Sequence, residues 1–319
     1  MIRTMKKIIL ILAAVIISAA SMSAQDMAKA TETYNNGATA LQTGDKASAL
    51  NYFQQALKMG LACGTDGAEL VANCKKNIPG VVLSIGKELY NNKDLDGALA
   101  KFQEASKLAK DYGVSDVSDE AAGLISNVNS LKDMEAGKTA MAARNYTAAA
   151  ASYKKVIEAD STNAAAALYL GQALGATGDI DGAVAAYKHA AANGQEKIAN
   201  SQISNLYLKA SVGSLKTGKY AEAIAYAQKS NEVSEDAQSY LVIGQASQKL
   251  GKNEDAIAAF EKYLSVAPTA KNASAITFTV AVLYQQAGNK AKALEYYEKI
   301  TSDPKFGAQA AAQITALKK

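Results

Sequence analysis

The chain has 319 residues, with 34 basic and 30 acidic side chains, one histidine, two cysteines and no tryptophan. So few histidines and cysteines leave little to converge on a catalytic centre or a metal ion, and no cofactor is expected. The formal charge of +4 is uneven along the chain, because Arg3, Lys6 and Lys7 stand in a segment, Met1–Ala24, that holds no acidic residue.

Those three cations precede an apolar run from Ile8 to Ala20, and small residues follow from Ser18 to Ala24. That is the layout of a cleavable signal peptide over 1–24, with the cut after Ala24 or after Ala20. The run is shorter than the ~20 residues that span a bilayer, so no stable membrane span is expected after cleavage. No cysteine directly follows it, so a lipid anchor is not expected and the mature chain is placed in the periplasm or otherwise exported. Removing three of the 34 basic residues leaves 31 against 30 acidic ones. The basic balance is thus largely a targeting effect, and no nucleic-acid partner is expected.

From residue 25 onward the chain repeats. A small residue recurs at Gly37, Gly86, Gly137, Gly171, Ser211, Gly244 and Ala281. Twelve residues later there is always alanine: Ala49, Ala98, Ala149, Ala183, Ala223, Ala256 and Ala293. Four further on stand Phe53, Phe102, Tyr153, Tyr187, Ala227, Phe260 and Tyr297, aromatic in six of the seven copies. Between the small residue and the alanine a turn position carries Gly44, Lys93, Arg144, Gly178, Gly218, Gly251 and Gly288. Small residues let two helix backbones approach, the ring is expected to fill the groove toward the next pair, and a turn glycine ends a helix in the left-handed conformation.

This pattern resembles the tetratricopeptide repeat family, with its period of about 34 residues. The resemblance implies an all-α fold over residues 25–319: a right-handed superhelical solenoid of about seven stacked antiparallel helix pairs. The family's first-helix tryptophan is missing, its closing proline appears only as Pro268, and the copy from Ser211 to Ala227 is the weakest.

Taken in order, Thr31–Gly60 is the first hairpin, with Ala49, Leu50, Phe53, Ala56 and Leu57 on one face of its second helix. The next repeat glycine comes late, and Leu61–Gly80 holds the excess. There 68–77 reads as an extra helix broken by Pro79-Gly80, or as the start of a long first helix bent at Pro79. Cys63 and Cys74 both fall in this insertion and are candidates for one disulfide in an exported chain; two unlinked thiols are the alternative. Leu95–Tyr112 is the next second helix. No proline interrupts Val117–Ala143, which is expected to be one extended helix. Gln195–Gly218 reads as another lengthened helix. A helix over 307–319, with Ala308, Ala311, Ile314 and Leu317 on one side, fits a solvating cap.

No constellation of nucleophile and base is found, and His189 stands alone on a second helix, so the chain is not expected to be an enzyme. In the family that the repeats resemble, first helices line a concave binding face. Carried over by position, this gives Tyr34, Asn35, Lys87, Lys138, Tyr169, Gln172, Lys209 and Gln245 as partner-binding candidates. The row containing Tyr34 can equally be inter-helix core. That row holds no Lys or Asn, so it lacks the clamp with which some members grip a carboxylate. An apolar stripe with scattered Lys and Gln suits an extended peptide or a partner helix. Asp160-Ser161-Thr162 resembles a short O-glycosylation acceptor of some exported bacterial proteins, with Ser161 the candidate, and equally a helix start. The expected function is that of an exported protein–protein interaction scaffold. The alternative is a glycan- or small-ligand-binding protein of the cell envelope, for which 16 tyrosines offer rings but the lack of tryptophan counts against it.

Overall fold

The structure, a computed structural model, describes residues 22–319. The signal-peptide segment 1–24 lies almost wholly outside the described residues. The described residues are all-α, and the chain divides into two compact units, Met1–Glu135 and Ala136–Lys319.

The first unit holds α1 (Met22–Gln42), α2 (Lys46–Ala62), α3 (Ala68–Asn91), α4 (Leu95–Tyr112) and most of α5 (Ser115–Ala142), within which the division falls. Successive helices pack on one another from α1 to α4. One continuous core runs through them, from Met27 and Ala30 to Ala121 and Val128, with Phe53, Phe102, Leu70, Ile78 and Leu83 fully buried. Residues 68–77 are not a helix of their own. They are the first turns of α3, 24 residues long, which continues through Pro79. Pro79 removes one helical hydrogen bond. Burial of Leu70, Cys74, Ile78, Val81, Val82 and Leu83 along the same helix offsets that loss on both sides of the proline. The long helix expected across Val117–Ala143 is α5, 28 residues.

The second unit continues with α6 (Tyr146–Ala159), α7 (Ala164–Thr177), α8 (Ile180–Ala190), α9 (Glu196–Lys216), α10 (Tyr220–Val233), α11 (Ala237–Lys249), α12 (Asn253–Val266), α13 (Ala273–Gln286), α14 (Lys290–Glu298) and α15 (Gly307–Leu317). Each helix packs on the next. The core is a chain of small clusters, one per neighbouring pair or two, as expected when each repeat touches only its neighbours. One turn of wider helix, Ala191–Gln195, joins α8 to α9 and is broken by Gly194 at φ 90°. α15 does cover the last pair, but through a different stripe from the one expected. Gly307 and Ala310 are buried and Ile314 and Leu317 half-buried, whereas Ala308 and Ala311 are exposed. The helix is rotated because Gly307 closes onto the backbone of Thr301, where a side chain would not fit.

The aligned small residues and rings meet directly. A β-carbon built on Gly37, Gly86, Gly137, Gly171 or Gly244 would lie 2.5–3.0 Å from the ring of Phe53, Phe102, Tyr153, Tyr187 or Phe260 respectively. Each ring therefore lies on the backbone of its own pair's first helix, which corrects the expectation that it chiefly fills the groove toward the next pair. The copy without a ring compensates with hydroxyls. Ser211 and Ala227 are fully buried, and nearby Ser204 and Ser230 lie 3.0 Å apart, with the Ser230 hydroxyl donating to the Ser204 carbonyl at 3.0 Å.

All seven turns share one geometry. The turn residue is left-handed in every copy, including the two non-glycines, Lys93 at φ 66° and Arg144 at φ 58°. The next residue starts the second helix, and in five copies its side chain, from Asp45, Asp94, Asn145, Asp179 or Asn289, accepts a hydrogen bond from the backbone N–H three residues on. For Asp45 this bond holds the carboxyl below the usual carboxylate range.

The packing can be tested at its glycines. Gly171→Ala should lower the urea unfolding midpoint by an amount equivalent to about 1–3 kcal/mol, since its β-carbon meets the Tyr187 ring. Gly213→Ala, in α9 where nothing lies within 4 Å, should raise it by up to about 1 kcal/mol. Equal effects of one sign would mean that helix propensity, not ring contact, governs these glycines. Separately, Arg144→Gly should stabilise by about 0.5–1 kcal/mol by relieving a left-handed L-residue; a loss of stability in the same measurement would contradict the turn geometry.

Candidate functional site

The eight candidate residues divide between the two units, and the structure gives them unequal roles. Tyr34 is core: it is 2% exposed, its ring sits 5.2 Å from that of Phe53, and its hydroxyl accepts from the Asn77 amide at 2.7 Å. Burial, with a smaller contribution from Cys74, pushes its pKa up. It is therefore no part of a binding face, and only Asn35 beside it is exposed. Lys87 pairs with Glu120 at 2.6 Å. Both are partly solvated, so the pair is worth at most about 1 kcal/mol and orients α3 against the start of α5. In the second unit Lys138, Gln172, Lys209 and Gln245 are exposed on first helices.

Tyr169 differs from these. Its ring is 38% exposed and stacks on that of Tyr153, with centroids 5.3 Å apart and planes 23° apart. Tyr153 is itself fully buried against Gly137, so the outer ring rests on a fixed base. Gln172 lies one turn further along α7. Together they line a groove of about 230 Å³ with Ala165, Leu168 and Tyr187, closed on the far side by Ile198 and Gln202 of α9. Ile198 is 50% exposed. Of the eight candidates, Tyr169 and Gln172 share this groove. Ile198 and Gln202 were not among the candidates, because the enlarged spacing between Gly171 and Ser211 places them on added turns at the start of α9, ahead of the positions where the family's binding rows fall.

A larger cleft of about 820 Å³ lies between α10, α11 and α12, on the side of the second helices. Glu232, Lys252, Asp255 and Lys262 give it charges of both signs, and the amide nitrogen of Asn231 is enclosed there with no hydrogen-bond partner among the described residues. Nothing in the repeat rows pointed to it, since those rows concern first helices.

The remaining titratable groups do structural work. The Glu261 carboxylate accepts from the hydroxyls of Tyr284 at 2.7 Å and Tyr296 at 2.8 Å, tying α12, α13 and α14 together. Burial, then that bond, pushes the Tyr284 phenol up to about 12, and the same causes raise Tyr296. Neither exchanges a proton near neutrality. His189 Nε2 donates to the Ser161 carbonyl at 2.7 Å, which pins the α6–α7 loop to α8. Ser161 is exposed at the tip of that loop, shaped by Asp160 accepting from the backbone and hydroxyl of Thr162 at 2.9 and 2.6 Å. Cys63 and Cys74 are free thiols, so the expected disulfide is not formed in the structure. Cys63 ends α2, while Cys74 faces the core from α3. Burial pushes the Cys74 thiol up to about 12, which removes its nucleophilicity. Among the described residues no three His, Cys, Asp or Glu side chains gather as metal ligands, and no helix is long and apolar enough to cross a membrane.

Three segments of the chain match a known repeat family. Two tetratricopeptide repeat models match, one over residues 134–197 and the other over residues 237–269 and 278–302. No curated protein matches the chain. Among solved structures, a crystal structure of MamA is 20% identical, covering 57% of this chain and 94% of that one, with a TM-score of 0.36. The TPR domain of P58(IPK) is 16% identical, covering 91% and 97%, at 0.28. A thermophilic TPR protein of Thermus thermophilus, TTC0263, is 18% identical, covering 59% and 98%, at 0.26. At these scores the likenesses decide nothing beyond what the matched repeats establish. Residues 134–197, 237–269 and 278–302 thus match tetratricopeptide repeats, and the in-register glycines, alanines and rings carry the same pattern through the copies outside them.

Proposed function

We propose that the chain is an exported protein–protein interaction scaffold that binds a peptide or a partner helix along its first helices, on the concave face such helices form in this family. Proteins built of these repeats are in general non-catalytic, and this reading assigns the chain no reaction. The observation that carries it is a face where, among the described residues, an aromatic ring is both exposed and firmly seated: Tyr169 on Tyr153, beside Gln172. Apolar surface held rigidly in water suits a surface that is covered in use. The near-balance of 31 basic and 30 acidic residues after removal of 1–24 gives no drive toward nucleic acid. The signal-like segment supports placement in the periplasm or beyond. A glycan could stack on the same Tyr169 ring, and that reading would gain if oligosaccharides alone quenched the effect described next.

A photo-reactive amino acid placed at Gln172 or Gln245, both exposed on first helices, should cross-link in the cells that make the protein to a protein of discrete mass. The same group at Lys188, exposed on the second helix α8, should not. The cross-linked chain should lack residues 1–24. Adducts independent of position, or none at any position, would contradict a first-helix docking face, and adducts confined to the uncleaved chain would contradict export.

A further inference from the structure

The geometry points to a site for one monovalent soft metal ion, of the Cu(I) and Ag(I) class, between the start of α1 and the end of α2. The site is independent of the scaffold reading. Asp26 and Lys29 of α1 line a cavity of about 410 Å³ with Met59, Ala62 and Cys63 at the end of α2. The Cys63 backbone N–H donates to the Met59 carbonyl at 3.2 Å, so the last helical turn is closed there. Residues at that spacing share one helix face, which sets the thiol and the thioether one above the other. Both residues are half-buried and both line the cavity. The Thr33 hydroxyl donates to Met59 Sδ at 3.8 Å, which steadies the thioether from the α1 side. A thioether sulfur has a second lone pair, and that one remains for a metal.

Donor chemistry and charge choose the ion. A thiolate and a thioether are soft donors and favour Cu(I) and its like, whereas Ca(II) and Mg(II) require a shell of oxygens. Zn(II) requires a tetrahedral set, and this cavity has no histidine and a single thiol. Cys63 gives its proton to solvent as the metal–sulfur bond forms. The thiolate and Asp26 then face the one positive charge of Lys29, which leaves one negative charge over. A monovalent ion cancels it, whereas a divalent ion leaves a positive charge uncompensated. Cys74 is fully buried in the core and offers no competing thiol at the surface.

The probe is silver nitrate, inert to oxidation, added in chloride-free buffer to the purified protein labelled with carbon-13 at its methionine methyls. The Met59 methyl resonance should move with added Ag(I) and stop at about one equivalent, while those of Met134 and Met141 on α5 stay in place. In competition with imidazole, Met59→Leu, a change of nearly equal volume, should weaken Ag(I) binding at least about tenfold. Cys63→Ser should abolish it. Both positions are half-buried, and unaltered melting of the two variants confirms the fold. Uptake of Ag(I) with the Met59 methyl unmoved would mean a thiol acting alone and would overturn the site. So would equal affinity of Met59→Leu, binding retained by Cys63→Ser, or an equal shift of the Met59 methyl with zinc sulfate.

Discussion

The contact on which both units depend is a ring packed closely against a helix at a position that has no side chain. In five pairs the ring approaches a glycine so closely that even one added carbon would collide with it. The contact gathers two contributions at once. The helix axes come near each other, so the surrounding alanines Ala49, Ala98, Ala149, Ala183 and Ala256 become fully buried. The ring itself is removed from water, worth on the order of 2–3 kcal/mol for a side chain of that size. Because neither partner can grow without displacing the other, the register of each pair is fixed by a single position. The left-handed turn and its capping carboxylate or amide then set where the second helix starts, so the ring arrives opposite the glycine.

The exceptions show that the contact, not the identity of the residues, is what repeats. At Ser211 and Ala227 both partners are small, and the neighbouring serine pair Ser204–Ser230 supplies directed hydrogen bonds where shape fit is lost. At Ala281 the first helix carries a β-carbon, and Tyr297 remains fully buried, its hydroxyl donating to Gln285 at 2.9 Å and its ring edge-on to Phe278 at 5.4 Å.

Periodicity in the sequence was sufficient for the pairs, their turns and the long α5, because each of these is decided by local residue type: a glycine, a cap, the absence of proline. It was insufficient wherever a tertiary contact decides. Pro79 reads as either a break or a bend within one long helix, and the apolar face on both sides of it holds α3 continuous. The capping helix reads with Ala308 and Ala311 inward, but the close approach of Gly307 to Thr301 turns it. Tyr34 reads by its row as either groove or core, and Phe53 and Asn77, which enclose it, decide for core. Tyr169 and Gln172 were legible because their repeat has the regular spacing. Ile198 and Gln202 were not, since they stand on the added first turns of α9, ahead of the rows that the repeats align. The departure from the repeat pattern is also what builds the groove, for a first helix of ordinary length would start beyond it.

The most direct test of the ring-on-glycine account is a double-mutant cycle at one pair. Gly171→Ser, Tyr187→Ala and the two together rewrite the fourth copy as the residues the chain itself uses at Ser211 and Ala227. Unfolding in urea should show each single change to be destabilising and the double change to be less so than their sum, by about 1 kcal/mol or more. Additive losses, within about 0.5 kcal/mol, would mean that glycine and ring act independently and would contradict the contact as the organising element of the fold.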